Sequence, residues 1–185
     1  MSGAHGAHAD PHNKQIALLI SILALVLAFS ETLGKSAQTA ALSYNIQASN
    51  LWAFFQAKTQ RQTTLRTAAE SLQAQLGERI PEKAGSQIEA WKKSAARYQS
   101  EPETGEGRDQ LAARAKEAEK KRDRAFAAYH HYELSSAAVQ IAIVLASASI
   151  ITALPILAWA AGALGALGVA FCVIGFWFPT AVHLF

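Results

Sequence analysis

The chain has 185 residues, 51% of them hydrophobic and 17% charged, with a single Cys and a formal net charge of +3. One cysteine excludes an internal disulfide framework and a Cys-based zinc site, and the modest Gly and Pro content excludes collagen-like and Pro-rich chains. The charge is too small to argue for nucleic acid, while a mean hydropathy of +0.10 beside two very polar stretches requires a strongly apolar remainder.

In chain order, residues 1–14 form a small, polar tail carrying His5, His8, Asp10 and His12. These groups match no zinc spacing and read as a solvated terminus. Ile16 to Leu33 is nearly all apolar, broken by Ser21, Ser30, Glu31 and Thr32, and predicts a first transmembrane helix over 15–33. Its apolar core is short enough for a secretory signal, with Ala28-Phe29-Ser30 as a small-x-small cleavage site. The long preceding segment with its lone Lys14, and a helical pattern that continues past Ser30, favour an uncleaved span. At the other end, Ala137 to Phe185 holds no Asp, Glu, Lys or Arg. That length accommodates two spans of about 20 residues each. Pro155 and Ala160-Ala161-Gly162 offer the turn, which predicts a second span over 135–158. The third span and a short C-terminus then take 161–185.

Between the spans, 34–134 is polar and predicts a long antiparallel helical hairpin, coiled-coil-like in its pattern. From Ala41 the apolar positions step by three and four through Tyr44, Ala48, Leu51, Phe55, Leu65, Ala69, Leu72 and Leu76, with Lys58 and Gln62 on the same stripe. Gly77 reads as a C-cap, and Pro81 stops easy continuation. A return leg carries Ile88, Trp91, Ala95 and Tyr98, with Ser86 and Glu89 at capping-box spacing. The acidic segment Glu101–Gly107 predicts a turn. Asp109 is then the expected N-cap of a stripe through Leu111, Ala115, Ala118, Arg122, Ala125, Tyr129 and Tyr132. Trp52, Phe54 and Phe55 fall on more than one face of the outgoing helix. A two-helix hairpin would leave that cluster uncovered, which predicts self-association, with Leu65 and Leu72 also in the packing seam.

Sixteen of the 17 basic residues lie between 35 and 124. Those nearest the spans orient the chain, placing the hairpin and C-terminus in the cytoplasm and the N-terminus outside. Within the hairpin, 16 basic residues stand against 12 acidic ones, and no recognition motif is present, so no nucleic acid is expected.

Four strings carry a family resemblance: Ser30-Glu31-Thr32-Leu33-Gly34-Lys35-Ser36-Ala37-Gln38-Thr39, Ser49–Lys58 (SNLWAFFQAK), Glu101–Gly107 (EPETGEG) and Ala128-Tyr129-His130-His131-Tyr132. With them the chain resembles the bacterial membrane family catalogued as domain of unknown function 4337, over nearly its whole length from about residue 13. The resemblance implies a bacterial integral membrane protein; with helical spans and the charge-based orientation above, the expected place is the inner membrane with a periplasmic N-terminus. It implies no activity, substrate or cofactor.

The topology brings Glu31, His130, His131, Glu133 and His183 to one interface. Histidine nitrogens and carboxylates suit zinc, iron or manganese, and His130 and Glu133 are one helical turn apart. Glu31, at the end of a span, is also a candidate proton site or pore lining. Against a metal, the spacing matches no established motif, and Tyr129 to Tyr132 suit an interfacial belt. No metal or other cofactor is therefore expected. Gly162, Gly165 and Gly168 recur every third residue and predict close helix packing, and Cys172 reads as a small packing residue. No nucleophile–base pair, phosphate loop or dinucleotide fingerprint occurs. The expectation is an all-α membrane protein with three transmembrane helices and a helical-hairpin stalk. Its expected role is non-enzymatic and homo-oligomeric, structural or accessory, with lipid bilayer around it and further copies or an unidentified membrane partner against the stalk. An ion pore on the first span and a His/Glu metalloprotein are the alternatives.

Overall fold

A computed structural model describes residues 11–181, with side chains from Asn13 onward. Among them the chain forms four α-helices and no strand: α1 (Pro11–Leu76), α2 (Glu82–Gln99), α3 (Arg108–Thr152) and α4 (Pro155–Trp177). Three of these, α1, α3 and α4, are long and apolar enough to cross a membrane. The described residues divide into two compact units, one of 11–41 with 123–181 and one of 42–122.

The helix ends have local causes. Gly77 closes α1 at φ +58, where a residue without Cβ is unstrained, and its N–H reaches the Gln73 carbonyl. α2 starts at Glu82 behind Pro81, which lacks the N–H a helix interior needs. Ser86 is therefore inside the helix and donates back to the Glu82 carbonyl at 3.0 Å, not forward as the expected cap. Asp109 likewise lies in the first turn of α3 and not at its N-cap; the Leu111 N–H already reaches the Gly107 carbonyl.

The turn between the last two helices also falls earlier than expected. α3 stops at Thr152 and Pro155 begins α4, so the boundary at 158–161 shifts to 153–154. Proline disfavours a helical residue before it, and Leu154 is extended at φ −95 and ψ 105. Ala153 takes φ +53, and the Ser149 hydroxyl donates to the Leu154 carbonyl at 3.0 Å. Ala160-Ala161-Gly162 continues the helix, and Ala161 is fully buried.

In the first unit the core consists of Ile16, Leu23, Val139, Ala142, Ala146 and Ala161. Half of these residues are alanine, and glycines of α4 face Leu23 and Val139, so backbones approach closely. A Cβ on Gly165 would stand 2.5 Å from Leu23 Cδ2, and one on Gly168 would stand 2.5 Å from Val139 Cγ2 and 3.1 Å from the Ser135 carbonyl. Gly175 repeats this against His131. Gly162, by contrast, has open space around it.

In the second unit Ala48 and Leu51 of α1 pack on Leu111, Ala115 and Ala118 of α3, with Trp52 and Phe55 against the same cluster. Trp52 bonds near the end of this α3 segment (Glu119) and Gln62 near its start (Arg108), so the two segments run antiparallel. The stripe read from the sequence is the buried face, with Ala41, Ala48, Leu51, Lys58, Gln62 and Ala69 buried and Leu65 and Leu72 half-buried.

Candidate functional site

The first unit contains a groove of about 480 Å³ between α1 and α3. Ser30, Glu31, Gly34, Lys35 and Gln38 line one wall, and Tyr129, Tyr132, Glu133, Ser136 and Gln140 line the other. Helical spacing explains the set, because positions three and four apart share a face. Gly34 keeps the helices close: a Cβ there would already touch Tyr132 Cβ at 3.4 Å. Gln140 Nε2 donates to Glu31 Oε1 at 3.3 Å, and the Tyr129 hydroxyl donates to Glu133 Oε1 at 3.4 Å. His130 Nδ1 stands 3.6 Å from Glu133 Oε2. Lys35 supplies the one ammonium among the lining residues. The Ser136 hydroxyl is shut off from solvent without a hydrogen-bond partner among the described residues.

Behind the groove two fully buried serines tie three helices together. Ser135 Oγ donates to the Gly168 carbonyl at 2.7 Å, which commits its proton. Ser30 Oγ, 2.8 Å away, therefore donates to Ser135. Ala28-Phe29-Ser30, read above as a competing cleavage site, is thus inside α1, with Ser30 in the helix contact.

The described members of the candidate His/Glu set fall into two surroundings. Adjacent residues on a helix point about 100° apart, and His130 and His131 divide accordingly. His130 stays with Glu133, while His131 is buried at 1% exposure against α4. Its ring stacks on Phe171, and its Nε2 lies 3.3 Å from the Pro179 carbonyl. A carbonyl only accepts, so Nε2 holds the proton, and Nδ1 has no partner among the described residues. Glu31 is exposed and lines the same groove as Glu133. Among the described residues no three His, Cys, Asp or Glu side chains converge as metal ligands. His183, His5, His8 and Asp10, and the side chain of His12, lie outside the described residues.

The second unit is organised by a polar network on the stripe itself. Lys58, 6% exposed, lies 3.7 Å from Glu101 and 3.6 Å from Glu106, and 5.3 Å over the rings of both Phe54 and Tyr98. One turn on, Gln62 Nε2 donates to the Ala95 carbonyl at 3.0 Å and to Gln99 Oε1 at 3.1 Å. Arg108 donates to Gln62 and Gln99 while its guanidinium covers the Phe55 ring at 4.9 Å. The acidic segment reaches Lys58 through a tight bend. A Cβ on Gly107 would stand 2.4 Å from the Glu101 N–H nitrogen, and Gly105 adopts φ +68.

The aromatic cluster divides between contacts within the unit and exposed surface. Trp52 donates from Nε1 to Glu119 at 2.8 Å and packs edge-on to Phe55, so both are partly covered within the chain. Phe54 alone of the three is exposed, at 38%. What the sequence reading missed are the partners: Arg108, Glu101 and Glu106 here, and Ser135, Ser136, Gln140 and Gly175 in the first unit. Gly175 follows Gly168 at heptad spacing, a signal the three-residue glycine step obscured.

Fold and side-chain arrangement together define an all-helical chain of two units, three of whose helices are long and apolar enough to cross a membrane. The chain belongs to the family described as domain of unknown function DUF4337, matched over residues 12–178. No curated protein and no solved structure matches it.

Proposed function

We propose that this chain is a non-enzymatic, self-associating protein of the bacterial inner membrane. In this reading the apolar lengths of α1, α3 and α4 are its three spans. The 42–122 unit stands in the cytoplasm as a helical stalk and serves a structural or accessory role. Insertion is supported by large exposed apolar side chains on charge-free helix, including Val144 at 66%, Ile151 at 85% and Trp159 at 81%. In water such surface is strongly unfavourable, whereas lipid covers it.

Self-association rests on one observation in the second unit. Leu42, Ile46, Ala53 and Ala57 follow one face of α1 at spacings of four and seven, and all four are exposed. A groove of about 540 Å³ lined by Ala57, Gln60, Arg61, Thr64, Leu65 and Tyr98 continues that face. α2 and α3 leave this surface uncovered, and a second copy presenting the same face covers it with matched chemistry. Light scattering of the detergent-solubilised full chain tests the reading. A mass of two or more chains supports it, and a monomer at micromolar concentration contradicts it.

The pore alternative draws less support. Glu31 sits at the polar end of its apolar run and accepts a hydrogen bond from Gln140, which favours an interfacial role over a pore lining. A cation current in proteoliposomes that Glu31→Gln abolishes would reverse that preference.

A further inference from the structure

We propose that the groove between Glu31 and Glu133 is a binding site for the headgroup of an ethanolamine phospholipid; the proposal rests on the membrane reading above. Depth is the first reason. On α1 the apolar run ends at Phe29, directly before the groove begins at Ser30, and on α3 the charge-free stretch begins at Leu134, directly after the lining residue Glu133. Both helices therefore change from apolar to polar at the level of this groove, where lipid headgroups lie.

Charge is the second. The lining carries two carboxylates, Glu31 and Glu133, and one ammonium, Lys35, a formal balance of −1. Such a site attracts a ligand that brings its own cation together with an anion, and disfavours a purely anionic headgroup. The free acceptor capacity of Glu31 suits an N–H donor, since only one of its bonds is from Gln140. A primary ammonium offers three such hydrogens, and a quaternary ammonium offers none. Lys35 is then the donor for the phosphate oxygens.

The apolar continuation is the third. Ile141 and Val144, both exposed, follow Ala137 and Gln140 by one turn along α3, and the partly buried Leu27 precedes Glu31 by one turn on α1. A lipid whose headgroup occupies the groove thus lays its acyl chains along an apolar track. A free phosphoethanolamine would gain nothing from that track, so the proposal commits to the lipid.

The test uses the full chain, purified in mild detergent with equimolar phosphatidylethanolamine, phosphatidylcholine and phosphatidylglycerol of identical acyl chains. Mass spectrometry quantifies the lipid that co-purifies. The expected result is phosphatidylethanolamine enriched about fivefold over either competitor, the equivalent of roughly 1 kcal/mol for a partly exposed charge pair. Glu31→Gln with Glu133→Gln brings the ratio to unity, and the exposed Lys35→Ala variant, which leaves the helix contacts intact, lowers it. No enrichment, enrichment of either competitor, or a preference indifferent to all three substitutions overturns the proposal. Carbonate extraction of the membranes from which the chain is purified separates the two readings. A chain that resists extraction but ignores headgroup overturns only this site, whereas an extractable chain overturns the membrane reading with it.

Discussion

Replacing Lys58 probes how the second unit is held together. Its ammonium, buried on the helix stripe, faces Glu101, which is 19% exposed, and Glu106, which is half exposed. Solvent screens the Glu106 pair to under about 1 kcal/mol. The Glu101 pair is more sheltered, but Arg97 Nε also lies 3.5 Å from that carboxylate and offsets part of its loss. The contacts over Phe54 and Tyr98 add about 0.5–1 kcal/mol each. Lys58→Met keeps the apolar stem and is expected to cost about 2 kcal/mol. Lys58→Ala also removes three buried methylenes worth about 0.8 kcal/mol each, for a total of about 4–4.5 kcal/mol. For a unit of this size the Met variant should melt about 8–16 °C lower. Circular dichroism of the full chain in mild detergent reads the transition, and tryptophan fluorescence in a Trp159→Phe, Trp177→Phe background, from Trp52 and Trp91, reports the second unit. A Met variant that melts at or above the wild-type temperature would refute the reasoning. It would mean that desolvating the ammonium costs as much as its partners return.

Three further outcomes follow from the packing. Ser30→Ala and Ser135→Ala should each lower thermal stability in detergent, and the double variant should lose less than their sum by about 0.5–1 kcal/mol, because one hydrogen bond joins them; strict additivity would deny the bond. Gly168→Val should cost about 1–3 kcal/mol through overpacking against Val139 and the Ser135 carbonyl, while Gly162→Val, in open space, should stay close to wild type. Gly107→Ala should expose the acidic segment to faster amide exchange, since its Cβ meets backbone at Glu101 and Ser100 that a rotamer change cannot move.

Local periodicity made much of this fold legible. The stripe from Ala41 to Leu76, the cap at Gly77 and the close approach at Gly165 and Gly168 follow from spacing and from the absence of a side chain. The partners of Lys58 were not legible. Its polarity marked a break in the stripe, but the bend that brings Glu101 and Glu106 to it depends on a backbone approach at Gly107 that no period encodes. The turn at 153–154 was announced by Pro155 and overridden by the small residues at 160–162, which turned out to serve packing. His131 was grouped with His130 by adjacency, though a 100° step sends them to different surroundings. In the groove, Glu31 was singled out, while Gln140 counted only as one of the few polar groups of its span and Ser136 drew no notice, because a lone polar residue on an apolar helix has no meaning until its neighbours on the other helix are known.

The central claim is that the uncovered face of α1 meets a second copy of itself. Ile46→Cys in a Cys172→Ser background, treated in native membranes with a short bismaleimide, tests it directly. The account predicts a covalent dimer at Ile46→Cys and none at Glu89→Cys, which is exposed on α2. An Ile46→Cys chain that a monofunctional maleimide labels fully, yet that the bismaleimide leaves monomeric, would contradict it.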